Sequence, residues 1–396
     1  MRVTQNLIQT QFLANVNSLE TSLNQTQNQL SSGQAFTTAS ENPIAAGRVN
    51  NYQQALVQSQ QYVTNSNSAQ TNLSIEDSTL SQVQNQLQSL RTLALEANSG
   101  ALTNSDRAAI ATQAQQIQNS LLDLANTQNG NGEYIFSGFA TQTQPFTLSA
   151  SGATYNGDQG QRQVQIAAGQ TVADGDSGNT VFNQIKTGNG TFAVAANAAN
   201  TGSGIVGATT VSNPAQYDGG TYSINFTAPG TYQVMEGATL VSSGTYTDGN
   251  TIAFNGVQLT LSGTPATGDS FTLAPSTNQS LFATVQNLVT ALQGGVTTAA
   301  SSTALNNSIN ASINNIDQAL TQTANVRAGI GGRLNSITTQ QSVATSQQTQ
   351  LQTTIGSLQS LDYAQAITTL TQQNTTLSAA LQSYTQTQGL SLFKYL

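Results

Sequence analysis

Apolar residues recur at helical spacing in both ends of the chain, whereas the middle alternates apolar and polar residues as strands do. Near the start the spacing is four and three residues in turn, which predicts the seam of a coiled coil. The members of this seam are Phe12, Val16, Leu19, Leu23, Thr26 and Leu30. Gly33 follows and can supply a left-handed C-cap, so a first helix is predicted to end there.

A second, long helix is predicted over residues 43–98, because Asn42 before Pro43 is a good N-cap and first-turn pair. One face of this helix repeats every seven residues, through Tyr52, Ser59, Ser66, Leu73, Leu80, Leu87 and Ala94. At 1.5 Å per residue such a helix is roughly 80 Å long, which indicates a rod. Thr103 and Asp106 have the spacing of a capping box and predict the start of a third helix.

Helices are predicted again after the middle of the chain, over residues 278–293 and over residues 304–384 with an interruption at 329–332. Two series of residues seven apart follow each other here: Ile337, Ala344, Leu351 and Leu358, then Tyr363, Leu370, Leu377 and Tyr384. The series are out of phase, so the seam shifts near Leu361. A lasting shift of this kind can mark a change of packing partner.

The middle is typical of short strands separated by Gly, Asn, Asp and Pro. Within it, residues 187–204 are rich in Gly, Ala and Asn and predict a linker between two β lobes. The predicted fold is α+β: a long antiparallel helical coiled-coil or bundle rod built from both chain ends, with an inserted all-β, sandwich-like outer domain. The predicted domains are terminal arms (1–42 and 358–396), a helical rod (43–140 and 276–357), and a β domain of one or two lobes (141–275).

Composition narrows the possible functions. Charged residues are only 7% of the 396 residues, and the net charge is −8. Without a basic patch to neutralise phosphates, we expect no binding to nucleic acid or to an anionic membrane. The chain has no Cys and no His, which excludes thiol nucleophiles, histidine bases, Cys/His zinc sites and disulfides. We therefore expect no enzymatic activity and no cofactor.

Targeting and metal signals are weak. The sequence shows neither the plan of a secretory signal nor a run approaching the ~20 apolar residues of a membrane helix. The ordinary signal-dependent export route is therefore not expected. Asp174, Asp176 and Asn179 have the look of a calcium loop, but Ile185 stands where the closing Glu belongs. A turn is the favoured interpretation, and no metal site is predicted.

Four motifs in the end regions resemble the flagellin family of bacterial flagellar axial proteins. Residues 29–33 (Gln-Leu-Ser-Ser-Gly) resemble the family's turn, and residues 87–98 its inner-core helix. Residues 134–138 resemble the segment that closes this helix, and residues 358–384 the C-terminal arm. Each motif is weak by itself, but the four in this order are specific, and they cover a little over half of the chain.

Three further segments resemble the junction subunits of this family more than its filament flagellins. These are the start Met-Arg-Val-Thr, the turn Glu41–Asn42–Pro43 and the ending Ser-Leu-Phe-Lys-Tyr-Leu. Asn42 departs from the second acid of the family's turn. The resemblance implies a secreted structural subunit of the extracellular flagellum, exported unfolded through the flagellar type III apparatus, which forms the junction between hook and filament by packing of its helical arms.

The resemblance also implies partners: neighbouring copies of the chain, hook-associated protein 1 on the hook side, flagellin on the filament side, and an export chaperone on the C-terminal arm. Two alternatives stay open. One is a filament flagellin. The other, of a different class, is a secreted adhesin or glycan-binding module in the β region, which exposed aromatics could support (Tyr217, Tyr222, Tyr232 and Tyr246). Alternation explains these tyrosines more simply as β core.

The candidate functional residues follow from the two kinds of seam. The predicted assembly interface comprises Val16, Leu19, Leu23, Leu30, Tyr363, Ile367, Leu370, Leu377, Leu381, Tyr384, Leu392 and Phe393. The predicted inner rod core comprises Leu73, Leu80, Val83, Leu87 and Leu90. The arms are expected to pack between molecules, and the rod core within one.

The arms should be disordered in the free monomer, up to about residue 42 and beyond about residue 358, and should fold on assembly, because helices gain most of their stability from tertiary contacts. Hydrogen exchange on purified monomer measures this. Strong protection of amides at both ends would contradict the prediction.

Overall fold

The computed structural model describes residues 2–150 and 152–389 and divides the chain into two compact units. Unit 1 contains Met1–Thr64 and Gln340–Leu396, and unit 2 contains Asn65–Thr339. These boundaries fall at other points than the predicted limits of arms, rod and β domain. That three-part division stays a prediction.

Four helices supply most of the described residues of unit 1. Two of them, α1 (Arg2–Ser32) and α6 (Tyr363–Gly389), lie entirely within it. The longer helices α2 (Pro43–Ala97) and α5 (Ala299–Gln359) contribute residues to both units. Helices from both chain ends, with antiparallel strands between them, confirm the predicted α+β class.

The caps around the first turn are those expected from the sequence. Gly33 has a φ of 69°, in the left-handed region, and its N–H donates to the carbonyl oxygen of Gln29 at 2.9 Å. Helix α2 begins at Pro43, and the side-chain oxygen of Asn42 accepts a hydrogen bond from the N–H of Ala45 at 3.1 Å. The predicted end of the first helix and start of the second are confirmed.

The predicted interruption at residues 329–332 is wrong, because α5 continues through these glycines. Ile330 and Ile337 are fully buried and hold this part of the helix against the core. Burying an isoleucine side chain contributes about 1.5–3 kcal/mol, which offsets about 1 kcal/mol for each helical glycine. The break lies instead after α5, where the Asp362 carboxylate caps α6 by accepting the N–H of Gln365 at 3.1 Å. The phase shift near Leu361 is thus a helix boundary.

Two shorter helices, α3 (Asn104–Ala125) and α4 (Leu281–Gln293), lie in unit 2. The capping box of α3 is confirmed: the Thr103 hydroxyl accepts the N–H of Asp106 at 3.2 Å, and the Asp106 carboxylate accepts the N–H of Thr103 at 2.9 Å. The hydroxyl of Ser280 accepts a hydrogen bond at the start of α4 in the same manner. Both helices therefore begin at side-chain caps that satisfy free backbone N–H groups.

The helices of unit 2 share one hydrophobic cluster, here called core A. The large apolar residues that helix α2 buries fully in it are Leu73, Leu80, Val83, Leu87 and Leu90. Residues from α3, α4 and α5 complete the cluster, among them Ile110, Leu121, Val285, Leu288, Ile309 and Ile316. The residues predicted as inner rod core are thus fully buried within one molecule.

The strands lie between α3 and α4. In chain order they are β1 (Phe146–Ser149), β2 (Gly152–Tyr155), β3 (Gln163–Ala167), β4 (Gln170–Ala173), β5 (Ile185–Lys186), β6 (Phe192–Ala196), β7 (Ile205–Val211), β8 (Tyr222–Ala228), β9 (Thr231–Glu236), β10 (Thr239–Thr245), β11 (Thr251–Phe254), β12 (Val257–Ser262), β13 (Ser270–Pro275) and β14 (Asn278–Gln279). A five-stranded sheet has the order β10-β9-β8-β13-β6, and a three-stranded sheet has the order β11-β12-β7. The pairs β1–β2, β3–β4 and β5–β14 are separate, and all pairings are antiparallel.

The strands divide between two cores. Strands β6–β13 enclose a second cluster, here called core B, with Tyr222, Ile224 and Phe271 fully buried. Strands β1–β5 contribute instead to core A, where the ring of Phe146 lies 5.4 Å from that of Phe182 and 5.1 Å from that of Phe282 on α4 (centroid distances). The first part of the predicted β domain therefore packs with the helices.

The predicted linker at residues 187–204 is also corrected. This stretch contains β6, which pairs with β13 in the register Phe271↔Ala196 and Pro275↔Phe192. Phe192 is fully buried in core B. Apart from Phe192, strand β6 consists of alanines and one valine. The alternating pattern of a strand is therefore hard to recognise among the surrounding glycines and alanines.

Three ion pairs connect α5 with the rest of unit 2. Arg91 Nε lies 2.6 Å from an Asp317 carboxylate oxygen, and Arg327 Nε lies 2.9 Å from one of Asp77. Since the higher-numbered residue of α2 pairs with the lower-numbered residue of α5, the two helices run antiparallel. A third arginine of α5, Arg333, pairs with Asp176 in the loop after β4.

Leu87→Ala should lower the free energy of unfolding of unit 2 by about 2–5 kcal/mol, because it removes a fully buried side chain and leaves a cavity in core A. Leu95→Ala on the same helix is the matched control. Leu95 is 49% exposed, so its replacement should change stability by less than about 0.5 kcal/mol. Urea denaturation followed by circular dichroism measures both. Equal effects of the two substitutions would contradict the assignment of core A.

Candidate assembly interface

The two arm helices, α1 and α6, pack against each other within unit 1. The rings of Phe12 and Tyr384 stack with their centroids 4.3 Å apart and their planes 7° from parallel. Phe12 begins the first predicted seam and Tyr384 ends the last one. The two seams therefore face each other at this position.

The turns that lead into the arms are also paired. Gln34 and Ser360 form an isolated antiparallel bridge. The N–H of Ala35 donates to the carbonyl oxygen of Gln359 at 2.8 Å, and the N–H of Leu361 donates to that of Gly33 at 3.1 Å. These backbone bonds fix the start of α6 beside the end of α1.

The paired arms leave their apolar stripe partly open. Among the described side chains of α1 and α6, only Thr26 and Ala366 are buried. Predicted interface residues that are half-buried are Val16, Leu19, Leu23, Leu30, Leu370, Leu377 and Tyr384. Two helices alone cannot enclose a seam that further helices would cover in a larger bundle.

Three predicted interface residues are exposed: Tyr363, Ile367 and Leu381. Leu392 and Phe393 lie outside the described residues. Three further exposed apolar residues lie on α1 and were not predicted as interface: Leu7, Ile8 and Leu13. Leu7 and Ile8 are each 68% exposed and Leu13 is 50% exposed. They do not follow the three-and-four spacing of the seam. What could have identified them in the sequence is that they are large apolar residues at positions outside the seam.

The arms carry almost no charge. In α1 the charged residues are Arg2 and Glu20, and α6 (Tyr363–Gly389) contains none. Threonine hydroxyls on the exposed faces are bound to backbone carbonyl oxygens four residues earlier, as for Thr371 and Thr375. Contacts made by this surface depend on apolar burial and close packing, and electrostatic steering contributes little.

The candidate calcium loop is occupied by protein partners. A carboxylate oxygen of Asp174 lies 3.2 Å from Arg162, and Asp176 pairs with Arg333. Within the described residues, no group of three or more Asp, Glu, His or Cys side chains is arranged to hold a metal ion. None of the helices in residues 2–150 and 152–389 combines the length and apolar character needed to cross a bilayer.

Comparison with known proteins identifies the family that shares this architecture. A family model described as the bacterial flagellin N-terminal helical region matches residues 3–141. The crystal structure of Xanthomonas campestris FlgL superposes with a TM-score of 0.73 at 34% identity, covering 77% of this chain and 99% of that one. The chain belongs to the bacterial flagellin family. The relatives found are flagellar structural proteins, and the chain is accordingly a structural protein and not an enzyme.

Two further relatives within the flagellin family agree. The flagellar junction protein FlgL from Legionella pneumophila has a TM-score of 0.71 at 31% identity, covering 79% of this chain and 100% of that one. Flagellar hook-associated protein 3 of Salmonella typhimurium is 32% identical over 185 residues, which are 47% of this chain. The match spans 58% of that curated relative's length.

The central strands match a second family model. A model described as the D2-like domain of flagellar hook-associated protein 1 matches residues 195–275. This range contains the end of β6 and all of β7–β13, for which no motif was identified in the sequence. The two family models match residues 3–141 and 195–275. Strands β1–β5 lie between these ranges and are matched by neither model.

Gly33→Ala should destabilise the paired turns by about 1–2 kcal/mol, because an L-residue is disfavoured at this positive φ. A Cβ on Gly33 would also lie 2.7 Å from the Tyr363 hydroxyl oxygen. Adding Tyr363→Phe removes that clash but not the backbone strain, so it should restore only part of the loss. The measurement is hydrogen exchange of the Ala35 and Leu361 amides in trimethylamine N-oxide. This osmolyte favours the compact state and is included because the arms are expected to be disordered in the free monomer without it.

The expected loss corresponds to a fall in protection of about 5–30-fold. Gly356→Ala in α5 is the control. No atom lies within 4 Å of its added Cβ, and the change should stabilise the helix by about 0.5–1 kcal/mol. Unchanged protection in Gly33→Ala would show that the turn does not form as described.

Proposed function

We propose that this chain is a structural subunit at the junction between the hook and the filament of the bacterial flagellum. The observation that carries the proposal is the likeness to FlgL, which includes a protein described as the flagellar junction protein and extends over nearly the whole length of each FlgL chain compared. The likeness to hook-associated protein 3 of Salmonella typhimurium supports the same position.

The arms provide the means of attachment. Their seam is half-buried, and Leu7, Ile8, Leu13, Ile367 and Leu381 remain exposed around it. Burying one leucine or isoleucine contributes about 1.5–3 kcal/mol, so several such side chains per contact can drive association without charged partners. The proposed partners are neighbouring copies of the chain, hook-associated protein 1 towards the hook, and flagellin towards the filament.

Secretion and the chaperone belong to the same proposal. Lack of Cys means that no disulfide must form or break before export of an unfolded chain. The exposed apolar residues of α6 offer a chaperone a site to cover before assembly, since such residues are otherwise an aggregation hazard. The proposed location is the extracellular flagellum.

The adhesin alternative gains no support from its four tyrosines. Tyr222 and Tyr246 are buried in core B, and Tyr217 and Tyr232 pack against it. The Tyr246 hydroxyl donates to backbone carbonyl oxygens of Leu261 and Gly263, at 2.9 and 3.0 Å. These rings serve the β core, as their alternation in the sequence predicted.

Deletion of the gene should leave the hook in place and abolish the filament, with flagellin released into the medium, because the filament then lacks its attachment. Gold-labelled antibody against the chain should mark one short zone between hook and filament in the wild type. Loss of the filament subunit itself, or label along the whole filament, would identify a flagellin and overturn the proposal.

Complementation of the deletion strain tests the arms. Leu13→Gln and Ile367→Gln change residues that are 50% and 52% exposed, so the monomer should fold normally while filaments per cell fall severalfold. Leu240→Gln is the matched control, because Leu240 is 53% exposed in β10, which belongs to unit 2 and is not part of the arms. Equal complementation by all three variants would contradict the assembly role of the arms.

A further inference from the structure

One carboxyl group occupies a position in the apolar seam of α2. Seam residues of this helix follow one another at intervals of three and four, and Glu76 stands between Leu73 and Leu80. Its exposure is 1%. Apolar residues hold the equivalent positions in the next turns, such as Val83. A carboxylate at such a site loses its hydration, which is costly without compensating donors.

Donors satisfy only one of the two carboxyl oxygens. Oε1 accepts a hydrogen bond from the backbone N–H of Asp176 at 3.2 Å. Oε2 is buried and has no hydrogen-bond partner. The backbone of Gly175 lies beside it, since a Cβ on Gly175 would be 3.8 Å from Oε2. An ionised Glu76 would therefore leave a charged oxygen without solvent or donor, whereas a protonated one would not.

The charged groups that face Glu76 come from the loop after β4 and from α5. Asp176 repels a negative charge on Glu76, and Arg333 attracts one. Arg333 is already paired with Asp176, and the other Asp176 oxygen accepts from the Gln161 amide at 2.8 Å. Of the two carboxyl groups, Asp176 is thus the one with donors on both of its oxygens.

The remaining acids nearby in sequence have their own partners. Asp77 on α2 pairs with Arg327 on α5, and Asp174 in the loop pairs with Arg162. Burial first, and the charge of Asp176 second, raise the pKa of Glu76 well above its ordinary value. This direction agrees with the missing donor at Oε2.

We propose that Glu76 keeps its proton in the folded chain at pH values where an exposed glutamate has lost it, and that folding of unit 2 is therefore coupled to uptake of one proton. The proposal goes beyond the assembly function, because it concerns the stability of the single subunit. It makes the folded state most favoured in acidic medium and progressively easier to unfold as the medium becomes less acidic.

The sign follows from the direction of the shift. A group whose pKa is higher in the folded state stabilises that state fully below its unfolded pKa, near 4.3 for glutamate, and this stabilisation is lost as the pH rises through the folded pKa. Three other acids act oppositely: hydrogen bonds lower the pKa values of Asp106, Asp158 and Asp218. Their effect is confined to pH values below about 4, outside the window of Glu76.

The first test is urea denaturation of the full chain at a series of pH values from about 4.5 to 8, for wild type and Glu76→Gln. The amide keeps the size and the acceptor for the Asp176 N–H but cannot ionise. Within the window, the unfolding constant of wild type should rise with pH by up to about tenfold per unit more than that of Glu76→Gln. The control is Glu96→Gln, since Glu96 is exposed on the same helix, and it should keep the wild-type pH dependence.

The second test needs no variant. The chain contains six glutamates, so selective 13C labelling of the glutamate carboxyl carbons gives a small set of resonances. The resonance of Glu76, assigned through its backbone connectivities, should titrate at a higher pH than the ordinary value near 4.3. Titration at or below that value would overturn the proposal, and so would identical pH slopes for wild type and Glu76→Gln.

Discussion

The structure depends on how completely a narrow apolar stripe on a long helix is covered. Helices in this chain are rich in amides and hydroxyls, so each has little apolar surface with which to stabilise itself. In unit 2 the stripe of α2 shares one core with three other helices and five strands, and its leucines are fully buried. In unit 1 the stripes of α1 and α6 meet mainly each other and remain half-buried. The same type of sequence thus gives a closed core in one place and an open one in the other.

Scarce charges have a specific use in such a molecule. Ion pairs at the surface contribute little free energy, typically below about 1 kcal/mol. Leucine and isoleucine side chains of α2 and α5 supply the apolar burial in core A, and an ion pair adds a contact between two defined positions along the helices. Arg91–Asp317 and Arg327–Asp77 connect α2 and α5 at two heights. We interpret these pairs as fixing the register of the two helices, with stability supplied by core A.

Much of this fold could be predicted from local signals. Three features depend only on residues close together in the sequence and could therefore be predicted from it. They are the seven-residue repeat through Leu73 and Leu87, the cap at Gly33 and the Thr103–Asp106 capping box. The glycines of α5 led to a wrong prediction of a helix break, because the packing of Ile330 against residues distant in sequence outweighs their low helix propensity. Strand β6 was missed because its evidence lies in its partner β13. Glu76 was missed because nothing in the sequence shows which loop would cover it. The exposed leucines of α1 were missed because a seam template counts only the residues that fit it.

The strands around core B leave and rejoin the rest of unit 2 at one point. The N–H of Thr187 donates to the carbonyl oxygen of Thr277 at 3.0 Å, and β6 and β13 run side by side from there. Because the two ends are already held together, the entropy of closing the intervening chain depends only weakly on its length. At this junction the strands around core B can be lengthened, shortened or exchanged at a small entropic cost, provided that the hydrogen bonds of Val206 to Asn307 and Asn310 on α5 are kept or replaced.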